Sequence, residues 1–160
     1  MTTMKALRFD KYGPPSVLSI QQLKVPDLKP GEALVELHAS AINPSDVKNV
    51  AGVFKASLPR IPGRDYAGVV VAGDGWKGKE VWGSGAGFGV WRDGAHAQYI
   101  VADLDGLSRK SAHLSMEDAY SAVERRTSLN KLVFIPHEVD HPGVRRRRLR
   151  GSVVKRSRSR

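Results

Sequence analysis

The stretch KPGEALVELHASAI, residues 29–42, carries the pattern that indicates the fold. A Pro-Gly turn signal opens it, and apolar and polar residues then alternate, which is the period of a half-buried β-strand. One face of this strand is predicted to be apolar, formed by Val35, Leu37, Ala39 and Ala41. The opposite face is predicted to be polar, formed by Glu36, His38 and Ser40.

The period changes directly after this strand, in NPSDVKNVAG, residues 43–52. Asn43 suits a helix N-cap, Pro44 fits the first helical position, and Asp46 stands where the acid of a capping box is found. Gly52 is a natural helix stop. We therefore predict one short helix within residues 43–52.

The remaining pattern is rich in short strands. Strands are predicted at residues 4–9, 17–23, 66–72, 79–83 and 95–101, and a second helix opens after Ser115. Short sequential strands joined by Gly- and Pro-containing turns favour a partly open antiparallel β-barrel. The fold class is thus mainly β, with two or so short helices.

Composition excludes several classes of protein. The 160 residues contain no cysteine, so disulfide frameworks and thiolate metal sites are ruled out, and a reducing, cytoplasmic location is predicted. The N-terminus lacks the apolar segment of a secretory signal. No run approaches the roughly 18 apolar residues that a membrane-spanning helix needs.

Charge is divided unevenly along the chain. Residues 1–123 hold 14 Lys and Arg against 13 Asp and Glu, whereas residues 124–160 hold 12 against 3. The regular pattern also stops near Glu124, and VRRRRLRGSVVKRSRSR, residues 144–160, is dense in arginine. We predict a near-neutral domain over residues 1–123 and a disordered basic tail over residues 124–160.

Several segments together resemble one family. They are MKALRFDKYGPPSVL, KPGEALVELHASAINPSDVK, IPGRDYAGVV, KGKEVWG and GAHAQYIVADLDGLSRKSAHLSMEDA. In this order they resemble the N-terminal, GroES-like domain of medium-chain dehydrogenases/reductases, most closely the zinc-independent, quinone-oxidoreductase-like branch. The resemblance covers about residues 4–123. It implies a domain that meets a Rossmann domain across a cleft, where NADPH or NADH delivers hydride to a carbonyl or quinone substrate.

A dinucleotide-binding fingerprint is not found in the sequence. The candidate is GSGAGFG, residues 83–89, but G-x-G-x-x-G requires glycine at position 88 or 90, where Phe88 and Val90 stand. No helical pattern follows, so we interpret the segment as a loop of the barrel near the cleft.

The resemblance implies four candidate catalytic residues, Asn43, Ser45, Asp46 and Arg64. Asn43 and Arg64 are also the candidates for cofactor contact, and they stand where zinc-bearing relatives carry Cys and His ligands. A neutral amide is a poor zinc ligand and a guanidinium repels a cation, so no zinc is expected. Asp46 can orient Arg64 by a charge-assisted bond. The alternative is purely structural: Asn43 and Asp46 cap the helix, and Arg64 pairs with Asp46 or Asp65.

Other residues that can carry chemistry are given structural interpretations. HEVDH, residues 137–141, matches a zinc-protease motif, but Pro136 and Pro142 oppose the helix that the motif needs. The three remaining histidines are predicted to be structural or exposed, namely His38, His96 and His113. The three tryptophans are predicted to form core or cleft wall, namely Trp76, Trp82 and Trp91.

Three interpretations of the tail stay open. It is a nucleic-acid-binding arm, a localisation signal, or a C-terminus produced by frameshift, mis-splicing or a mistaken gene prediction. The pattern breaks partway into a helix, where the family needs a domain crossover, and this favours the third. We therefore expect a truncated substrate-side domain of a zinc-independent NAD(P)H-dependent quinone or enone oxidoreductase, inactive alone. The alternative is a nucleic-acid-binding or regulatory module that binds polyanions non-specifically through residues 144–160.

Overall fold

The computed structural model describes residues 2–116, 132–134 and 153–155. Helix α1 spans Pro44–Val50, and two short 3-10 helices span Pro15–Val17 and Leu104–Gly106. The strands in chain order are β1 Thr3–Arg8, β2 Ser19–Lys24, β3 Glu32–Ile42, β4 Tyr66–Ala72, β5 Glu80–Gly83, β6 Tyr99–Asp103, β7 Ser108–Arg109, β8 Leu132–Phe134 and β9 Val153–Lys155.

The described strands form two antiparallel sheets. β1 and β2 make a two-stranded sheet, and the larger sheet has the order β7-β5-β4-β3-β8-β9, with β6 also paired to β3. The predicted mainly β, GroES-like class is confirmed, although the sheets do not close into a barrel.

β3 is the centre of the larger sheet. β4 pairs along one side of it, while β6 and β8 pair with its N-terminal and C-terminal parts. The predicted apolar face is confirmed, since all four of its side chains are buried. Ser40 is buried too, contrary to the predicted polar face. A register shift between Leu37 and Ala39 interrupts the simple alternation there.

The strand predicted at residues 95–101 begins later, at Tyr99. Residues 96–98 instead join the two sheets. His96 and Gln98 exchange backbone hydrogen bonds with β1, and Leu37 donates to the Gln98 carbonyl at 2.9 Å. Within β6 the buried residues are Ile100 and Ala102, whereas Tyr99 and Val101 are half-buried.

Two hydrophobic clusters fill the interior. The smaller one joins β1 to the loop before β4 through Met4, Ala6, Ile61 and Ala97. The larger one lies on the main sheet and includes the edge-to-face pair Tyr66 and Phe88, whose ring centroids are 5.7 Å apart. Burial raises the pKa of the Tyr66 hydroxyl to about 12. Phe88 thus anchors residues 83–89, which we call the glycine-rich loop, in the core.

Several predictions concern residues outside the described part. The second helix is described only at Met116, and the motif at residues 137–141 and the arginine run 145–150 are not described. β8 and β9 extend the larger sheet, so the prediction of disorder does not hold for these two short segments. Both are apolar runs within the basic sequence, LVF and VVK, and β-branched residues favour strands. The domain boundary near residue 123 stays a prediction.

Within the described ranges, none of the helices has the length and apolar character that crossing a membrane requires.

Candidate functional site

Helix α1 begins at a capping box, as predicted. The backbone N–H of Asn43 donates to Asp46 Oδ2 at 2.8 Å, and Pro44 occupies the first helical position. Ala51 caps the C-terminal end, and Gly52 follows with a φ of +92°, the left-handed conformation that ends many helices. The sequence therefore fixes both the start and the stop of the helix locally.

The side chain of Asn43 is fixed by a hydrogen bond to Asp65. Asn43 Nδ2 donates to Asp65 Oδ2 at 2.6 Å, and the Ser84 hydroxyl donates to the other carboxylate oxygen. Asn43 and Asp65 are both buried. A buried carboxylate that accepts two hydrogen bonds is well satisfied, so this pair fixes the N-terminus of α1 against the strand start at Tyr66. Sequence reasoning had assigned Asp65 only as a possible partner of Arg64 and had missed Ser84.

His96 is a further buried residue of this region. Its Nε2 lies 2.9 Å from the Ala41 carbonyl oxygen, and it must donate because a carbonyl can only accept. Burial lowers the pKa of the His96 imidazole below its ordinary 6.5, with Asp46 acting in the opposite direction. Burial raises the pKa of the Asp46 carboxyl above 3.8, and His96 opposes that shift. Both charged forms are thus disfavoured by loss of water.

Asn49 ties α1 to the glycine-rich loop. Its Nδ2 donates to the Gly89 carbonyl at 2.6 Å, and its side chain is fully buried. The signal in the sequence was weak, because an asparagine on a short helix is ordinarily solvent-exposed. We name the residues Asn43, Asp46, Asn49, Asp65, Ser84 and His96 the polar cluster.

An open cavity of about 340 Å³ lies beside the polar cluster. Its lining consists of Phe54, Arg64, Gly85, Gly87, Phe88, Val90 and Trp91. The predicted loop at residues 83–89 forms one wall, and Trp91, which is 78% exposed, lines the cavity at its rim.

The four predicted catalytic residues are not brought to one surface. Arg64 lines the cavity, whereas Asn43 and Asp46 are buried and Ser45 is half-buried on α1. The Arg64 guanidinium lies 5.1 Å from the centroid of the Phe54 ring. Within the described ranges it makes no ion pair with Asp46 or Asp65, so neither predicted pairing is formed.

The donor set of this region does not fit a zinc ion. Asn43 is engaged with Asp65, Arg64 carries a positive charge, and His96 Nε2 is bound to a carbonyl. Residues 2–116 contain no cluster of three His, Asp or Glu side chains arranged to hold a metal.

The described residues also do not fit the pyrophosphate of a dinucleotide. Gly85, Gly87 and Gly89 have positive φ, but the loop turns back into the sheet rather than opening a helix. A pyrophosphate site needs a helix N-terminus at that place.

Comparison with known proteins places the chain among dehydrogenases and reductases. Residues 29–112 match the alcohol dehydrogenase GroES-like domain family. A zinc-type alcohol dehydrogenase-like protein of Schizosaccharomyces pombe is 42% identical over 74% of this chain and 38% of its own length. The 2-methylene-furan-3-one reductase of Solanum lycopersicum is 37% identical over 72% of this chain and 33% of its own length.

Solved structures agree with this placement. The quinone oxidoreductase from Coxiella burnetii superimposes with a TM-score of 0.67 at 29% identity, over 75% of this chain and 41% of that one. The chain thus spans less than two fifths of the length of the two curated relatives described above. The match covers more than half of the chain, and the chain belongs to the alcohol dehydrogenase GroES-like domain family.

Proposed function

We propose that this chain supplies the substrate-side domain of an NAD(P)H-dependent oxidoreductase that reduces quinones or enones without zinc. The observation that carries the proposal is the open cavity walled by Phe54, Trp91 and Arg64. Flat aromatic walls suit a flat conjugated substrate, and a cation suits its carbonyl oxygen. The relatives named as quinone oxidoreductase and furanone reductase point to the same substrate class.

Each predicted residue has a distinct role in this proposal. Arg64 touches the substrate or the cofactor, since it lines the cavity. Asn43 has a second amide hydrogen beyond the one given to Asp65, and Ser45 is a half-buried residue that carries a hydroxyl. These two groups can donate to a carbonyl or a carboxamide. Asp46 is a positioning residue, because its buried carboxylate holds the backbone of Asn43.

The cofactor requires a second binding element. We propose that NADPH or NADH is anchored mainly by another domain or chain, because the residues described here offer its pyrophosphate no helix N-terminus. A few hydrogen bonds of roughly 1 kcal/mol each do not offset an association cost of at least about 4 kcal/mol. The 160-residue chain alone is therefore expected to bind NADPH at about millimolar affinity or weaker, without steady turnover.

A domain exchange tests the proposal. Residues 1–123 would replace the corresponding part of a quinone oxidoreductase relative, and NADPH consumption would be measured with a panel of quinones and enones. We expect turnover, and we expect Asn43→Ala and Arg64→Gln to reduce it, while the exposed Ser19→Ala does not. A folded chimera that binds NADPH but turns over no member of the panel would contradict the proposal, as would NADPH-dependent turnover by the unfused chain.

The uneven charge supports a second, independent candidate. The arginine run is proposed to bind polyanions such as heparin or nucleic acid without sequence preference. Replacing Arg145, Arg146, Arg147 and Arg148 by Gln in the full chain should lower the salt concentration of elution from heparin. Unchanged elution would exclude these arginines as the site.

A cytoplasmic location is also part of the proposal. It is based on the absence of cysteine, and fractionation of cells that produce the tagged chain would test it.

A further inference from the structure

The cavity beside α1 is lined by aromatic and apolar residues, by two glycines and by Arg64. Trp91 stands at its rim, and its indole packs so closely on Gly87 that a Cβ added there would lie 2.9 Å from Trp91 Cδ1. Phe54 and Val90 also line the space. Three aromatic residues, Phe54, Phe88 and Trp91, line a volume of about 340 Å³, which matches the lower size range of small-molecule sites and favours a ligand of one or two fused rings.

Arg64 is the ionisable side chain of this lining, and it forms no ion pair within the described residues. Its contact is with the Phe54 ring, and no carboxylate of the described part lies within ion-pair distance of it. The adjacent Asp65 is committed to Asn43 and Ser84. Asp46 is the other nearby acid: burial raises the pKa of its carboxyl and the charge of Arg64 acts to lower it, but the two side chains form no ion pair.

A cation fixed at the wall of an apolar cavity attracts anions more strongly than one in open water. An arginine stacked on an aromatic ring keeps its N–H groups in the plane of the guanidinium, where they can bind two oxygens at once. The Phe54 ring therefore holds Arg64 ready for an oxyanion without competing for its donors.

We propose that the cavity selects flat conjugated ligands that carry a negative group, with the rings against Phe54 and Trp91 and the anion on Arg64. This inference rests on the proposed function and narrows its substrate class to acidic quinones or enones. A neutral quinone would use the aromatic walls alone and would bind more weakly.

Binding of a matched pair of redox-inert probes tests the inference on the full chain. Naphthalene-2-sulfonate carries the charge, and naphthalene-2-sulfonamide is its neutral isostere. Titration calorimetry gives the affinities, and quenching of tryptophan fluorescence reports the location. We expect the sulfonate to bind about tenfold more tightly than the sulfonamide, the scale of one charge-assisted contact.

The variants assign this preference to one side chain. Arg64→Gln should remove the preference, Arg64→Lys should retain part of it, and Trp91→Phe should weaken the quenching. Arg109→Gln is the matched control, because Arg109 also lies over an aromatic ring, Trp76, but does not line the cavity. It should leave both affinities unchanged. Circular dichroism would verify that each variant is folded.

Three results would overturn the inference. They are equal affinities for the two probes, a preference that persists in Arg64→Gln, and a preference lost only when Arg145–Arg148 are replaced by Gln. Because the probes undergo no reduction, this test can fail while the chimera turns over quinones, and the chimera can fail while the probes bind.

Discussion

The polar cluster and the cavity adjoin each other, but they are built in opposite ways. In the cluster, Asp65 and His96 are each about 2% exposed, and each makes a short hydrogen bond to a partner. In the cavity wall, Trp91 is 78% exposed and Arg64 is without an acidic partner among the described residues. The side chains of the cluster hydrogen-bond to one another and to the backbone, whereas the wall is open to a ligand.

This difference separates positioning from binding. A buried polar group that loses its partner costs stability, so residues of the cluster hold the backbone of α1 and of the glycine-rich loop. Exposed side chains contribute little to stability and remain available for contacts. Mutations in the cluster should therefore be seen as unfolding, and mutations in the wall as altered binding.

The largest effect is expected from Gly63→Ala. Gly63 has a φ of +97°, and a Cβ there would lie 2.6 Å from His96 Cδ2 and 2.9 Å from the His96 backbone nitrogen. Backbone strain and overpacking each cost about 1–3 kcal/mol, so we expect a loss on the order of 3 kcal/mol in urea unfolding.

Gly75→Ala is the matched control for this change. Gly75 also has a positive φ, of +71°, but nothing lies within 4 Å of a Cβ added there. It should show the strain cost alone, about 1 kcal/mol. Equal losses in the two variants would mean that the contact between Gly63 and His96 is not tight.

The next largest effect is expected from Asp65→Ala. This change leaves the buried Asn43 amide and the Ser84 hydroxyl without their acceptor. Hydrogen bonds to a charged group contribute about 1.5–3 kcal/mol, and a loss of this size is expected in urea unfolding. Asp27→Ala serves as control, since Asp27 is 82% exposed in its pair with Lys24 and should cost at most about 0.5 kcal/mol. Similar costs for both would show that Asp65 does not anchor α1.

A smaller effect is expected from pH, and His96 sets its sign. Its folded-state pKa is below 6.5, so on acidification the unfolded chain takes up a proton that the folded chain refuses. Stability contributed by His96 is therefore lost as the pH falls from about 6.5. The contribution of Asp46 to the pH dependence of stability has the opposite sign. Its raised pKa means that the folded chain takes up a proton more readily than the unfolded chain, so this contribution increases stability as the pH falls toward 3.8.

Variants separate the two contributions. His96→Gln keeps a donor for the Ala41 carbonyl and should remove the loss that begins near pH 6.5. Unfolding free energies at about pH 7.5 and about pH 5.5 measure it. His38→Gln, at an exposed position, should leave the difference unchanged. If His96→Gln retains the full wild-type difference, the titrating group is elsewhere.

The sequence pattern predicted the fold around α1 well, because strand alternation and helix capping depend on residues that are close in sequence. The alternation in β3, the capping box of Asn43 and Asp46, and the stop at Gly52 depend on neighbours within a few residues. The strand at residues 95–101 was placed too early because residues 96–98 bond to β1, about 90 residues away in sequence. Such non-local competition has no local signature.

The sequence predicted which residues belong to the candidate site, but it did not predict which of them contact each other. Arg64 was identified, yet its partner is the Phe54 ring rather than an acid. Asp65 instead receives hydrogen bonds from Asn43 and Ser84, which are 22 and 19 residues away. Which of several nearby acids pairs with which donor depends on the packing of loops, and the sequence pattern does not encode it.

The smallest effect on stability is expected from Trp91→Ala. Large aromatic residues usually bury enough surface that truncation costs about 3–5 kcal/mol. Trp91 is an exception because it is 78% exposed, so its removal should change the free energy of unfolding by no more than about 0.5 kcal/mol. Phe88→Ala is the comparison within the same loop, since Phe88 is 3% exposed and packs edge-to-face on Tyr66. It should cost about 3 kcal/mol, as much as Gly63→Ala. A Trp91→Ala variant as unstable as Phe88→Ala would mean that the wall is part of the core, and the division between positioning and binding would fail. If Trp91→Ala is instead stable but loses affinity for naphthalene-2-sulfonate, then an exposed tryptophan on this rim is present for its ligand.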